Sequence, residues 1–180
     1  FIGNVSGTSI ADSNIAADFS NGPPVVRNPF APGAYVSATT ITAPGSYTTK
    51  PTLTFAAAPA GGTTAVGSAI MYALTIAIQA AGTGYTAGDT ISFANNVVAT
   101  VDTVGGSGDI TGISITNTGA ITGALPSNPV TPVATSGSGT SATFNFTYGV
   151  LAISISVSGG GYVAAPAITF SAGAATATST

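Results

Sequence analysis

From residue 38 onward the chain alternates. Isoleucine or valine occupies every second position at Ile76 and Ile78, at Ile113 and Ile115, and at Ile153, Ile155 and Val157, with Thr, Ser or Ala between them. A period of two gives a strand one apolar and one polar face. The strands lead into a recurring pattern of glycine, an aromatic ring, a short bend and a strand that closes on phenylalanine. It reads Gly45-Ser46-Tyr47 to Phe55, then Gly82-Thr83-Gly84-Tyr85 to Phe93, then Gly159-Gly160-Gly161-Tyr162 to Phe170. The tyrosine precedes the phenylalanine by eight residues each time. A third, degenerate copy has Ala120-Ile121 where a tyrosine is expected, followed by an insert carrying Pro126, Pro129 and Pro132.

These copies divide the chain into units 39–74, 75–110, 111–151 and 152–180, the first three 36, 36 and 41 residues long. Repeats of that length are stacked supersecondary units. Each unit reads as strand, Gly-Tyr turn, strand, Gly/Ser turn, strand, and the fourth is expected to stop short of its closing strand. The absence of Glu, a single Lys and many β-branched residues disfavour helix. The expected fold is all-β, with antiparallel sheets built from about four Gly-Tyr-turn repeats, as a sandwich, a barrel or stacked β units, and almost no helix.

Residues 1–36 lack a periodic apolar face and contain Gly22-Pro23-Pro24, Asn28-Pro29 and Ala31-Pro32-Gly33, the signature of an extended segment. The expected organisation is an N-terminal arm over 1–36, repeats 1 and 2 over 37–110, and repeats 3 and 4 over 111–180. Within the repeats the structural motif residues are Gly45, Tyr47, Phe55, Gly84, Tyr85, Phe93, Gly161, Tyr162 and Phe170. Their glycines supply positive φ so that the chain reverses with the ring over the sheet end. The tyrosines are then core and corner residues; a second reading makes them a row of sugar-stacking platforms on one exposed face.

The combination of Gly-x-Gly-Tyr, a Pro or Gly-Asp bend and an Ile-x-Phe strand resembles the glycine-rich β repeats of tailed-phage virion proteins. The resemblance covers residues 38–180, in three clear copies and one degenerate one. Such repeats occur in capsid decoration proteins, tail fibres and other virion appendages, so it implies a structural virion protein at the virion surface or in an appendage, with other virion proteins as partners.

Composition narrows the chemistry. Charged residues are 4% of the chain: five Asp against Arg27 and Lys50, a net charge of −3. Two cations cannot build the phosphate-neutralising surface that direct nucleic-acid binding requires. There is no His, Cys, Glu or Trp, so a serine nucleophile has no ordinary base and thiolate metal sites are excluded. No enzymatic activity, cofactor or metal is expected. Asp89, Asp102 and Asp109 lie in Gly- or Thr-rich turn settings where Asp caps its own backbone; the competing readings are a catalytic carboxylate pair and a calcium site, for which the D-x-D-x-D-G spacing is missing. Asn4-Val5-Ser6 and Asn145-Phe146-Thr147 match the glycosylation sequon. The uncharged run from Ala65 to Ala81 is interrupted by Gly67, Ser68, Thr75 and Gln79, short of the ~20 apolar residues a membrane span needs. No Lys- or Arg-led signal precedes Phe1, so the chain is expected to be cleaved from a precursor or to be numbered from inside a longer product.

A sheet protein with one lysine has few charges with which to guard its edge strands. It is therefore expected to cover them with neighbours, as a homo-oligomer, a trimer or a larger array. The arm, through Phe1, Ile2, Val5, Ile10, Phe19 and Phe30, is expected to latch onto an adjacent subunit. One alternative is a subunit of an extracellular cell-surface filament assembled by strand donation. A second is a carbohydrate-binding adhesin with a surface glycan as its partner.

Overall fold

A computed structural model describes residues 34–180. The expectations placed on Phe1, Ile2, Val5, Ile10, Phe19 and Phe30, and on the sequon at Asn4, lie outside the described residues. Among the described residues ten strands run β1 (Thr39–Ala43), β2 (Leu53–Phe55), β3 (Val66–Thr83), β4 (Thr90–Ser92), β5 (Val97–Val104), β6 (Ile110–Thr118), β7 (Ala134–Thr135), β8 (Thr140–Val157), β9 (Ile168–Phe170) and β10 (Thr176–Ser179), with one 3₁₀ turn at Ala94–Asn96. The fold is all-β and every ladder is antiparallel. The sheets do not close into a barrel: β1 pairs β10, β2 pairs β9, β3 pairs β8, and β6-β5-β4-β7 form a four-stranded sheet.

The frame is the β3–β8 ribbon, two strands of 18 residues each, about 60 Å long at ~3.3 Å per residue. Each strand serves two units, closing one and opening the next. The unit boundaries at Leu74 and Leu151, expected to separate strands, are instead positions where the register slips within one continuous strand. A bulge of one residue turns the alternation over. In β3 the buried residues are Ala69, Met71 and Ala73 before the slip, and Ile76 and Ile78 pack against the core after it. In β8 they are Phe144, Phe146 and Tyr148 before the slip, and the partly buried Ile153 and Ile155 pack against the smaller core after it.

Pairing does not follow chain order. Unit 1 exchanges strands with unit 4: β1 pairs β10, β2 pairs β9, and the first part of β3 pairs the last part of β8. Unit 2 does the same with unit 3 through β5–β6, β4–β7 and the rest of the ribbon. The expected blocks 37–110 and 111–180 therefore do not pack as separate pairs of repeats; each block gives one unit to each end of the ribbon. Nor does the fourth unit stop short, since β10 is its closing strand and finds its partner in β1.

The main core gathers Phe93, Phe144, Phe146 and Tyr148 with Met71, Ile91, Val101, Ile110 and Ile121. Phe93 meets Phe144 and Phe146 edge-on, ring centres 5.4 and 5.0 Å apart, the arrangement that aromatic quadrupoles favour. A smaller core of Val36, Phe55, Ala65 and Tyr162 lies at the unit 1–unit 4 end. The proline-rich insert of unit 3 is part of the fold. Val130 and Phe144 exchange backbone hydrogen bonds, and the Asn128 amide brackets Phe146, donating to its carbonyl and accepting from its N–H, both at 2.9 Å.

Candidate functional site

The four corners are one construction made four times. Gly45, Gly82, Gly119 and Gly159 have φ of 64°, 64°, 64° and 69°, each lies against the backbone where the partner unit's closing strand begins, and a side chain two or three residues later fills the space beneath. The Tyr47 hydroxyl accepts from the Ala175 N–H at 3.2 Å. The Tyr162 hydroxyl accepts from the Ala65 N–H at 2.7 Å, and the Tyr85 hydroxyl is bonded to the backbone of Ala142. Every one of these bonds joins units 1 and 4 or units 2 and 3, so the corners lock the exchanged strands together. Gly84 and Gly161, singled out in the sequence, are second left-handed glycines directly before the ring; the glycines equivalent to Gly45 are Gly82 and Gly159.

Unit 3 keeps the corner without the tyrosine. Ile121 is fully buried, and the residue facing it at the start of β5 is Val97, where the other corners have Ala175, Ala142 and Ala65. Val97 packs at Gly119 and returns part of the volume missing from the ring, and a small apolar cavity bounded by Ile121, Val97, Phe146 and Tyr148 keeps the rest. Replacing Ile121 with Tyr alone should overfill the corner and cost about 1–3 kcal/mol. Val97→Ala alone should cost about 2 kcal/mol through the cavity it leaves. The double variant should recover at least ~1 kcal/mol relative to additivity, measured from urea midpoints.

Tyr47, Tyr85 and Tyr162 retain 5%, 3% and 6% of their exposure. This overturns the sugar-stacking reading, because a ring spent on a corner contact has no face to offer a ligand. Burial pushes the Tyr148 phenol to about 12. Burial also raises Tyr85, opposed by its backbone bond to Ala142 and reinforced by the Asp89 carboxylate. A raised phenol favours the folded state below the unfolded value near 10 and loses that contribution as pH climbs through the folded value. Stability should thus hold up to about pH 10 and fall between 10 and 12, with tyrosinate absorbance and loss of β signal rising together in an alkaline titration.

Two of the carboxylates serve local turns, whereas Asp102, expected in a turn, lies within β5 and bonds across the sheet to β6. Asp89 accepts from the Thr86 N–H and hydroxyl at 2.9 and 3.0 Å, Asp102 from the Ser114 hydroxyl at 2.9 Å, and Asp109 from the Ser107 N–H at 3.4 Å. Among the described residues no three carboxylates converge. Lys50 donates to the carbonyl of Thr122, tying unit 1 to unit 3. Asn145 donates to Gln79 across the ribbon at 2.7 Å. A groove of about 340 Å³ runs between Thr131–Thr135 and Gly139–Thr143, but its walls are Thr, Ser, Pro, Ala, Val and Gly, with Tyr85 as the sole titratable group. No helix among the described residues is long and apolar enough to cross a membrane.

What the surface does offer is uncharged β structure with a few large apolar side chains. Tyr35, Val66, Val157 and Val163 are 58%, 52%, 44% and 77% exposed, and all four belong to the unit 4 corner. Val66 and Val157 are register partners, Ala34 bridges Tyr162, and the Val36 N–H donates to Ser158 at 2.9 Å. Sequence reading missed this cluster. The signal lay in setting Tyr162-Val163 beside Tyr85-Thr86, where one repeat carries valine and the other threonine. No protein-family model, curated protein or solved structure matches the chain.

Proposed function

We propose that the protein is a non-enzymatic structural subunit of a virion, a capsid decoration (cement) or fibre-like component that packs against neighbouring subunits. The observation that carries this reading is the near absence of charge on a strand-exchanged β body. Residues 34–180 contain only Lys50, Asp89, Asp102 and Asp109 as charged side chains, while six large apolar residues are exposed. Soluble β proteins guard their edges with charge; this one leaves them to be covered. The resemblance of residues 38–180 to virion β repeats gives that assembly its setting, at the virion surface or in an appendage.

Density-gradient sedimentation of the native source tests the reading. Co-migration with nuclease-protected DNA is the expected result. Sedimentation as a DNA-free polymer would point instead to the extracellular filament built by strand donation or to a detached appendage, which exchange of strands between subunits would tell apart.

A further inference from the structure

The molecule carries its own control. The two ends of the β3–β8 ribbon have the same backbone construction. At one end the Tyr85 N–H donates to Gly108 at 2.9 Å, and at the other the Tyr162 N–H donates to Ala34 at 3.1 Å. The ladder pair Ala80↔Thr143 occupies the place at the first end that Val66↔Val157 occupies at the second. The residues that follow these anchors are therefore equivalent: Thr86 matches Val163 and Asp109 matches Tyr35. One end presents Asp109, Thr86, Thr143 and Ala80; the other presents Tyr35, Val163, Val66 and Val157. The fold builds the same corner with three polar residues and Ala80, so building it does not require the apolar set.

We infer that the Tyr35–Val66–Val157–Val163 face is a self-association surface, on which a second copy of this chain packs through the same face about a twofold axis. Charge selects this occupant. All three aspartates of the described residues belong to unit 2, whereas units 1 and 4 contribute Lys50 alone. Acidic ends repel one another, and a head-to-tail contact would strip water from carboxylates against an apolar face that cannot pair them. Apolar end on apolar end incurs neither cost. The four side chains expose roughly 300–400 Å² together, the size at which an apolar patch marks an interaction site. That is about half of the ~800 Å² a standard interface takes from each partner, leaving the remainder to the Thr/Ser/Ala rim.

The inference rests on the assembly reading, and its test is separate from the sedimentation experiment. The full chain should show a concentration-dependent dimer by sedimentation equilibrium. Val163→Asp should weaken it at least tenfold, while Thr86→Asp, at the equivalent place on the other end, should leave it unchanged. Because the chain has no cysteine, Val163→Cys supplies a unique thiol. Its alkylation should slow at least tenfold as the dimer forms, and that of Thr86→Cys should not. A monomer at every concentration, a dimer indifferent to Val163→Asp, or a Val163→Cys thiol already protected in the monomer would each overturn the inference. The last would mean that the chain's own residues 1–33 cover the face. A monomer that still co-sediments with DNA-filled particles would remove this surface and leave the assembly reading standing.

Discussion

Severing the chain in the turn between β5 and β6, after Gly106, should give two fragments that do not fold as monomers and that reassemble when mixed. Of the named ladders, only β4–β5 lies within one fragment. The pairs β1–β10, β2–β9, β3–β8, β4–β7 and β5–β6 all cross the cut. Either fragment alone leaves one strand of the 18-residue ribbon unpaired on its hydrogen-bonding edge, and buried backbone groups without partners are not tolerated. The cut itself costs little, because Gly106 is exposed and nothing lies within 4 Å of where its side chain would be. Each fragment should show little β signal and sediment as unfolded chain or aggregate. An equimolar mixture should regain the far-UV spectrum of the intact chain and migrate as one species. A fragment spanning 1–106 that folded as a monomer would show that the exchange of strands between units 1 and 4 does not hold the fold together.

That interleaving is the part of the fold the sequence did not disclose, and the reason is physical. Alternation at Ile76/Ile78 or Ile153/Ile155 states which face of a strand is apolar, not which strand lies beside it. Neighbour choice is settled by the corners, where Gly82 fits only against Thr140–Ala142 and Gly159 only against Thr63–Ala65, contacts between residues far apart in sequence. The all-β class, the four units and the positions of Leu74 and Leu151 were legible, because they depend on local pattern. Even there the meaning of the two leucines changed, from the end of a strand to a bulge within one. Buried tyrosines were legible from the glycines that precede them. Ile121 was legible only as a missing ring, since the compensating Val97 lies in another unit. The exposed apolar face was invisible for the converse reason: Tyr35 and Val66 stand out only beside Asp109 and Thr143, and that comparison requires the register.

The corner glycines carry the second large effect, and three Gly→Ala variants separate its sources. Gly106 has neither positive φ nor a neighbour within 4 Å, so Gly106→Ala should change stability by no more than ~0.5 kcal/mol. Gly88 has φ of 94° but open space around it, so Gly88→Ala should cost about 1–3 kcal/mol for holding an L-residue in a left-handed conformation. Gly82 combines φ of 64° with an added Cβ 2.4 Å from the Thr140 carbonyl oxygen and 2.8 Å from the Ala142 nitrogen. Neither backbone atom can withdraw, because β8 is held by its ladder to β3 and by the Tyr85 bond to Ala142. The Gly82→Ala cost should therefore be the conformational term plus that of an overfilled contact, about 2–5 kcal/mol in all, a large share of the ~5–15 kcal/mol that holds an ordinary domain together. Urea midpoints of the three variants should fall in the order Gly106, Gly88, Gly82. If Gly82→Ala were no worse than Gly88→Ala, the corner would be a loose turn, and the lock between exchanged strands would have to lie in the ladders alone.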